Sequence, residues 1–182
     1  MNKFSNQTIT YRNELNGDQP HISGVITAAF AEHPYSDHKE QDIVQRLRED
    51  EQLSVSIVAT CTNTDLDDEN NTSIVGHISF SKITIDGEDK QYYGLAPVSV
   101  LPAYQQQGIG AKLIELGLEQ IKQLGANGCV LVGEPEYYQR FGFVHDAAVT
   151  YSGLPAEFFM VLHFCERNVA GEVQYQAAFM PE

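Results

Sequence analysis

Residues 95–114 read Leu-Ala-Pro-Val-Ser-Val-Leu-Pro-Ala-Tyr-Gln-Gln-Gln-Gly-Ile-Gly-Ala-Lys-Leu-Ile. Val98 and Val100 recur at the period of two that a strand requires, and Pro102, which has no N–H to give a sheet, ends the run. A polar turn, 103–107, follows. Gly108-Ile109-Gly110 then opens a helix on which Leu113, Ile114, Leu116, Leu118, Ile121 and Leu124 form a broad apolar stripe. The first turn of a helix leaves backbone N–H groups without partners and carries a partial positive charge. Two glycines at that point remove the side chains that would hold an anion at a distance. The stretch therefore reads as a strand delivering a pyrophosphate-sized anion to a helix N-terminus. Two familiar nucleotide loops are excluded. A dinucleotide fingerprint needs a third glycine where Leu113 stands, and a Walker loop needs Gly-Lys-Ser/Thr where Gly110-Ala111-Lys112-Leu113 stands.

Outward from this stretch the chain alternates cleanly. Residues 8–12 form a strand with Ile9 and Tyr11 on one face. Residues 19–32 form an amphipathic helix on Ile22, Val25, Ile26, Ala29 and Phe30, with Pro20 in its first turn. His33-Pro34-Tyr35-Ser36 breaks it, and a second helix runs over 39–50 on Ile43, Val44 and Leu47. Residues 53–60 are a strand, 61–73 an exposed acidic loop, and 74–85 a long strand. In that strand Ile78 and Phe80 face oppositely to Ile83 and Ile85, which predicts a bulge or bend between the pairs. Asp86-Gly87 is a turn, and 92–101 is the strand that enters the opening stretch. After the helix, Gly125 marks a stop, and Cys129 to Val132 are a strand covered on both faces. A short helix over 135–140 follows, a strand beginning at Phe143, a strand over 158–164, and a last alternating strand over 171–179. The order predicts an α/β (α+β) fold. A mixed, mostly antiparallel sheet carries one β-α-β crossover and has helices on both faces.

The 182 residues suffice for one domain, 1–182, with a core of its own, and a hydrophobic fraction of 42% is that of a globular chain. No apolar run reaches the roughly 20 residues that span a bilayer, and the N-terminus lacks a signal-like apolar region, which predicts a cytoplasmic protein. A formal charge of −14 speaks against nucleic acid or an anionic membrane as partner and favours a cationic substrate. Cys61, Cys129 and Cys165 are unpaired by spacing, so buried free thiols are expected. The six histidines show no metal-ligand spacing, and no metal is expected.

Gln105-Gln106-Gln107-Gly108-Ile109-Gly110 matches the Q/R-x-x-G-x-G/A signature, with its strand and helix flanks, and in this the chain resembles the GNAT (Gcn5-related N-acetyltransferase) superfamily. A second segment, Val130-Leu131-Val132-Gly133-Glu134-Pro135-Glu136-Tyr137-Tyr138-Gln139-Arg140-Phe141-Gly142-Phe143, is similar to the family's strand end, Tyr-bearing short helix and Gly-Phe. The resemblance covers most of the chain and is sharpest over 95–144. The final strand looks like the C-terminal extension of a bacterial subgroup of predicted acetyltransferases. It departs from the family at Glu134-Pro135, where Asn is frequent.

This resemblance implies an acetyltransferase with acetyl-CoA as co-substrate, bound by a core region of about 92–145, and C-terminal strands at about 157–180. The cofactor contacts it implies are Val98, Ser99, Val100, Gln105, Gln106, Gln107, Gly108, Ile109, Gly110, Ala111 and Tyr138. An amine, on a small molecule or a protein, attacks the thioester directly. Backbone N–H groups near Val98 and Val100 hold the oxyanion, and Tyr138 protonates the departing thiolate. Glu134, Glu32, His77 and Tyr93 are candidates for the base, His33 and Tyr35 for the acceptor pocket, and Phe141 and Phe143 for the core. A homodimer is compatible with the sequence. Two other readings stay open: a non-catalytic acyl-CoA-binding module, and transfer from a carrier protein docked near Lys112, Lys122 and Arg140.

Overall fold

The computed structural model describes residues 7–32, 36, 38–63, 72–152, 154–165 and 169–180. Its strands are β1 (Gln7–Asn13), β2 (Leu53–Asn63), β3 (Thr72–Ile85), β4 (Glu88–Val100), β5 (Gly128–Val132), β6 (Val149–Thr150), β7 (Phe159–His163) and β8 (Gly171–Gln174). Its helices are α1 (Gln19–Phe30), α2 (Glu40–Glu49), α3 (Ile109–Gln123) and α4 (Pro135–Tyr138). The sheet runs β1-β2-β3-β4-β5-β7, antiparallel except between β4 and β5, the two strands that α3 connects. This is the expected mixed sheet with its single crossover.

Three apolar layers explain the pattern of buried residues. On one face, α3 sets Leu113, Ile114 and Ile121 against Ile78, Phe80 and Leu95. On the other, α1 and α2 cover Val58 and Ile74 with Ile22, Ile26 and Val44. Beside those helices the C-terminal segment covers Ile83, Ile85, Tyr92 and Val130 with Val149, Val173 and Tyr175. Cys129 and Leu131 thus face α3 while Val130 faces away, as a strand covered on both sides requires. Gly117 lets α3 approach: a Cβ there would lie 2.2 Å from the Phe80 ring. Among the described residues no helix is long and apolar enough to cross a membrane.

Several sequence expectations need correction. The register of β3 against β4 is continuous from Phe80 to Ile83. The two apolar pairs face opposite ways because two different layers cover them, and the irregularity between them lies on the neighbouring strand, at Ser54 of β2 opposite Phe80 and Ser81. Further irregularities lie at Val75 in β3, at Ala96-Pro97 in β4, and between Ile83 and Ile85 near the turn into β4. The strand expected at Phe143 is a single bridge, Val144 to Val161, because the turn closed on Asp146 draws the chain off. Phe143 itself is buried core. The last strand stops at Gln174 and a 3-10 turn, Ala177–Phe179, replaces its end. β8 meets β3 at Thr84 and Ile85, the part of the β3 edge beyond the start of β2, and its first residues pair with β6. The acidic loop residues 64–71, with His33 and Tyr35, lie outside the described residues.

Candidate active site

Strands β4 and β5 pair only at Tyr92↔Gly128, Tyr93↔Cys129 and Gly94↔Val130. Beyond Gly94, β4 runs on to Val100 while β5 turns off into α4, so the two strands part. A cavity of about 450 Å³ occupies the opening. Its walls are β4 from Leu95 to Val100, Gln105, the β5 end with Val132 and Glu134, the rings of Tyr137 and Tyr138, and Ala29, Phe30 and Glu40 from α1 and α2.

The backbone of β4 is free on this side. Leu101 N–H bonds Val75 O on β3 at 2.9 Å. Strand N–H groups alternate in direction, so Ser99 also points toward β3 and Val98 and Val100 point away from it, into the gap that β5 has left. The carbonyl of Val100 agrees, since it accepts from Gln105 Nε2 at 3.1 Å rather than from the sheet. Ser99 has its side chain buried on the α1 side, and Ile109 is core, packed beside Gly76. Any contact Ile109 makes with a ligand must come from its N–H.

The loop into α3 curls through two left-handed residues, Gln106 at φ 61° and Gly108 at φ 82°. The glycine is required by that backbone angle; a Cβ there would meet nothing within 4 Å. The first bond into the helix is Lys112 N–H to Gly108 O. Among the described residues the N–H groups from Gln106 to Ala111 make no hydrogen bond. Ordinary folding leaves such groups free only at helix starts open to solvent or ligand. Gly110 lies between the loop and the cavity: a Cβ on it would come 3.5 Å from the Tyr137 hydroxyl and 3.6 Å from Val100. The strand, the loop and the Tyr-bearing helix are thereby brought to one place.

Tyr138 is held by packing. Its ring lies over Gly133, where a Cβ would stand 2.4 Å away, and meets Phe143 edge-on at 6.0 Å. Burial raises its pKa above the ordinary tyrosine value, aided by Tyr137 and Cys129. Tyr137 is raised by burial too, against the opposing charge of Arg140, which stacks 4.6 Å over its ring. Both phenols are therefore proton donors across the neutral range.

Of the four candidate bases only Glu134 lines the cavity. Glu32 is exposed beyond the end of α1, and Tyr93 is buried in the α3 layer. His77 is fully buried, on the face that α1 and α2 cover. Its Nε2 lies 2.9 Å from Ser56 Oγ, which donates to Glu14; Arg48 grips Glu14 at 2.9 Å. Because the one Ser56 proton goes to Glu14, this bonding assigns the imidazole proton to Nε2. The chain Arg48–Glu14–Ser56–His77 is structural. The three cations considered for carrier docking are each engaged: Lys112 with Glu115, Lys122 over the Phe164 ring, and Arg140 over Tyr137.

Sequence reasoning missed Glu40, Ala29, Phe30 and Pro97. Glu40 was detectable. It stands four residues before Val44 and seven before Leu47, on the apolar face of α2, where a carboxylate needs a reason.

Comparison with known proteins agrees with this geometry. Residues 23–143 match the sequence profile of the Acetyltransferase (GNAT) family. An uncharacterized N-acetyltransferase of Escherichia coli K12, YhbS, is 31% identical over 92% of this chain and 96% of its own. The crystal structure of a GNAT family acetyltransferase from Brucella melitensis in complex with acetyl-CoA is 41% identical. It superposes with a TM-score of 0.80 over 95% of this chain and 99% of that one. YhbS from Escherichia coli in complex with CoA, 28% identical, gives 0.82 over 94% and 91%. The profile match and the 31% and 41% identical relatives, each spanning nearly the whole chain, show that the chain belongs to the GNAT family of acetyltransferases.

Proposed function

We propose that the chain is a single N-acetyltransferase domain that moves an acetyl group from acetyl-CoA to an amine by direct attack. The observation that carries this reading is the parting of β4 and β5 around a cavity of about 450 Å³, with free backbone donors on its β4 wall. The pyrophosphate lies against the N–H groups from Gln106 to Ala111, where Gly108 and Gly110 let it approach. The pantetheine arm enters between the strands, along Val98, Ser99 and Val100. The N–H groups of Val98 or Val100 receive the thioester oxygen as it gains charge. Attack by the neutral amine forms the C–N bond and a tetrahedral centre whose nitrogen gives up a proton to solvent; its collapse breaks the C–S bond and releases thiolate, and solvent returns to Tyr138 the proton it gives to the sulfur.

Tyr138 supplies the proton to that thiolate. A tyrosine raised above 10 is a weaker acid than a thiol near 8.5, so full transfer in the resting site is uphill by about 2 kcal/mol or more. Its contribution is a hydrogen bond that strengthens as the sulfur becomes anionic, with the proton passing late. The relatives described above with acetyl-CoA and CoA bound support the choice of donor.

The test is an assay of thiol release from acetyl-CoA with a panel of amines, together with calorimetric titration of acetyl-CoA. Binding and amine-dependent release are expected. No heat at millimolar acetyl-CoA refutes the donor assignment. Binding without release for any amine favours a non-catalytic acyl-CoA-binding module.

A further inference from the structure

The carboxylate of Glu40 is out of place for a surface helix. It opens α2 on the face that Val44 and Leu47 bury, and its Oε2 is shut off from solvent with no hydrogen-bond partner among the described residues. Complementing the helix dipole does not explain this. Asp42, in the same first turn, does that from the exposed face, and no side chain caps the helix. Carboxylates withdrawn from water need a cation or several donors. Among the described residues the cavity that Glu40 lines contains no lysine or arginine, and none of its hydroxyl donors, Ser99, Tyr137 and Tyr138, bonds Oε2. The arginines of α2 point their charge elsewhere, Arg48 to Glu14 and Arg46 to the carbonyl of Met180. The other lining residues from the helices, Ala29 and Phe30, are apolar, and the second carboxylate of the cavity, Glu134, adds charge of the same sign. A ligand that fills this space must bring the positive charge with it.

We propose that Glu40 determines acceptor specificity by holding a cationic group of the acceptor. The substrate class is then an aliphatic amine with a second positive charge set apart from the reacting nitrogen. An acceptor carrying a carboxylate in that position meets Glu40 and Glu134 as like charges and is rejected. The inference rests on the acyl-transfer reading above and adds the chemistry of the acceptor to it.

The test uses CoA-saturated protein titrated calorimetrically with 1,4-diaminobutane and with 4-aminobutanoate, alongside thiol release from acetyl-CoA with each. Wild type should bind the diamine more tightly. In E40Q the affinity for the diamine should fall about tenfold or more, as expected for losing a hydrogen bond to a charged group, while that for 4-aminobutanoate stays level or rises. KM for the diamine should move more than kcat. No diamine binding by wild type, equal diamine affinity in both proteins, or a wild-type preference for 4-aminobutanoate overturns the inference. Should E40Q fail to fold, the ranking of the two ligands on wild type decides alone. A wild type that does not bind CoA refutes instead the acyl-transfer reading on which the inference rests.

Discussion

Acid should destabilise this protein through His77. The ring has no exposure to solvent, its Nε2–H is committed to Ser56, and its Nδ1 has no partner among the described residues. Burial, with the charge of Arg48 adding to it, lowers its pKa from 6.5 to about 3. The unfolded chain therefore takes up a proton through a range in which the folded protein refuses it. The stability that His77 contributes is present above about pH 6.5 and is lost as pH falls toward 3. With RT near 0.59 kcal/mol, the loss from pH 7 is about 2 kcal/mol at pH 5 and about 3 kcal/mol at pH 4. Urea unfolding of wild type and His77→Gln at these pH values measures it, since glutamine keeps a donor toward Ser56 and does not titrate. Asp18, Asp89 and Asp146, whose pKa values are held low by Arg12, by Lys82 and mainly by the Ala148 N–H, also lose stabilisation in acid. They do so in both proteins and cancel in the difference. The variant should be the less stable at pH 7, and its deficit should shrink by about 2 kcal/mol at pH 5. A deficit that stays constant between pH 7 and pH 5 refutes the reasoning.

Two further outcomes follow from packing. Gly117→Ala should cost about 1–3 kcal/mol in denaturant unfolding, because its Cβ would stand 2.2 Å from the Phe80 ring at the centre of the α3 layer; unchanged stability would mean that α3 can shift freely. Tyr138→Phe should lower kcat about a hundredfold while leaving acetyl-CoA affinity near wild type. Its raised pKa also predicts no alkaline loss of kcat from this residue below about pH 10. An unaltered kcat would leave Tyr138 as packing alone.

The strand, loop and helix start proposed to hold the donor were legible because they are local. A strand, a turn and a helix start lie within residues 95–114, and the physics of each is carried by its own residues: Pro102 ends pairing, Gly108 takes the left-handed angle, and Leu113 and Ile114 bury the helix. The short β6 was not legible, since two residues paired only with Gly171 and Glu172 leave no periodic trace. Nor was the early end of β8. Val173, Tyr175 and Phe179 keep their alternation because they share one apolar layer, yet the chain reaches Phe179 through a turn. Periodicity reports which residues are buried; it reports hydrogen bonding only where an edge is available.

The acceptor half is different in kind. The cavity proposed for it is assembled from the end of α1, the start of α2 and the parted strands, so its composition depends on how helices seat on a sheet. Each contributor has an innocent local reading: Phe30 completes an amphipathic stripe, Glu40 favours a helix start, Glu134 precedes a proline. Only their convergence on one cavity turns Glu40 from a helix-start residue into an uncompensated carboxylate. The asymmetry has a physical origin. CoA's pyrophosphate can be bound by backbone N–H groups, which a local motif of small residues exposes. An acceptor must be told apart by side chains, whose spacing in the chain has no fixed relation to their spacing in the site. A sequence can therefore announce its acyl donor, while the acceptor proposed here is read from a single carboxylate on the wrong face of a helix.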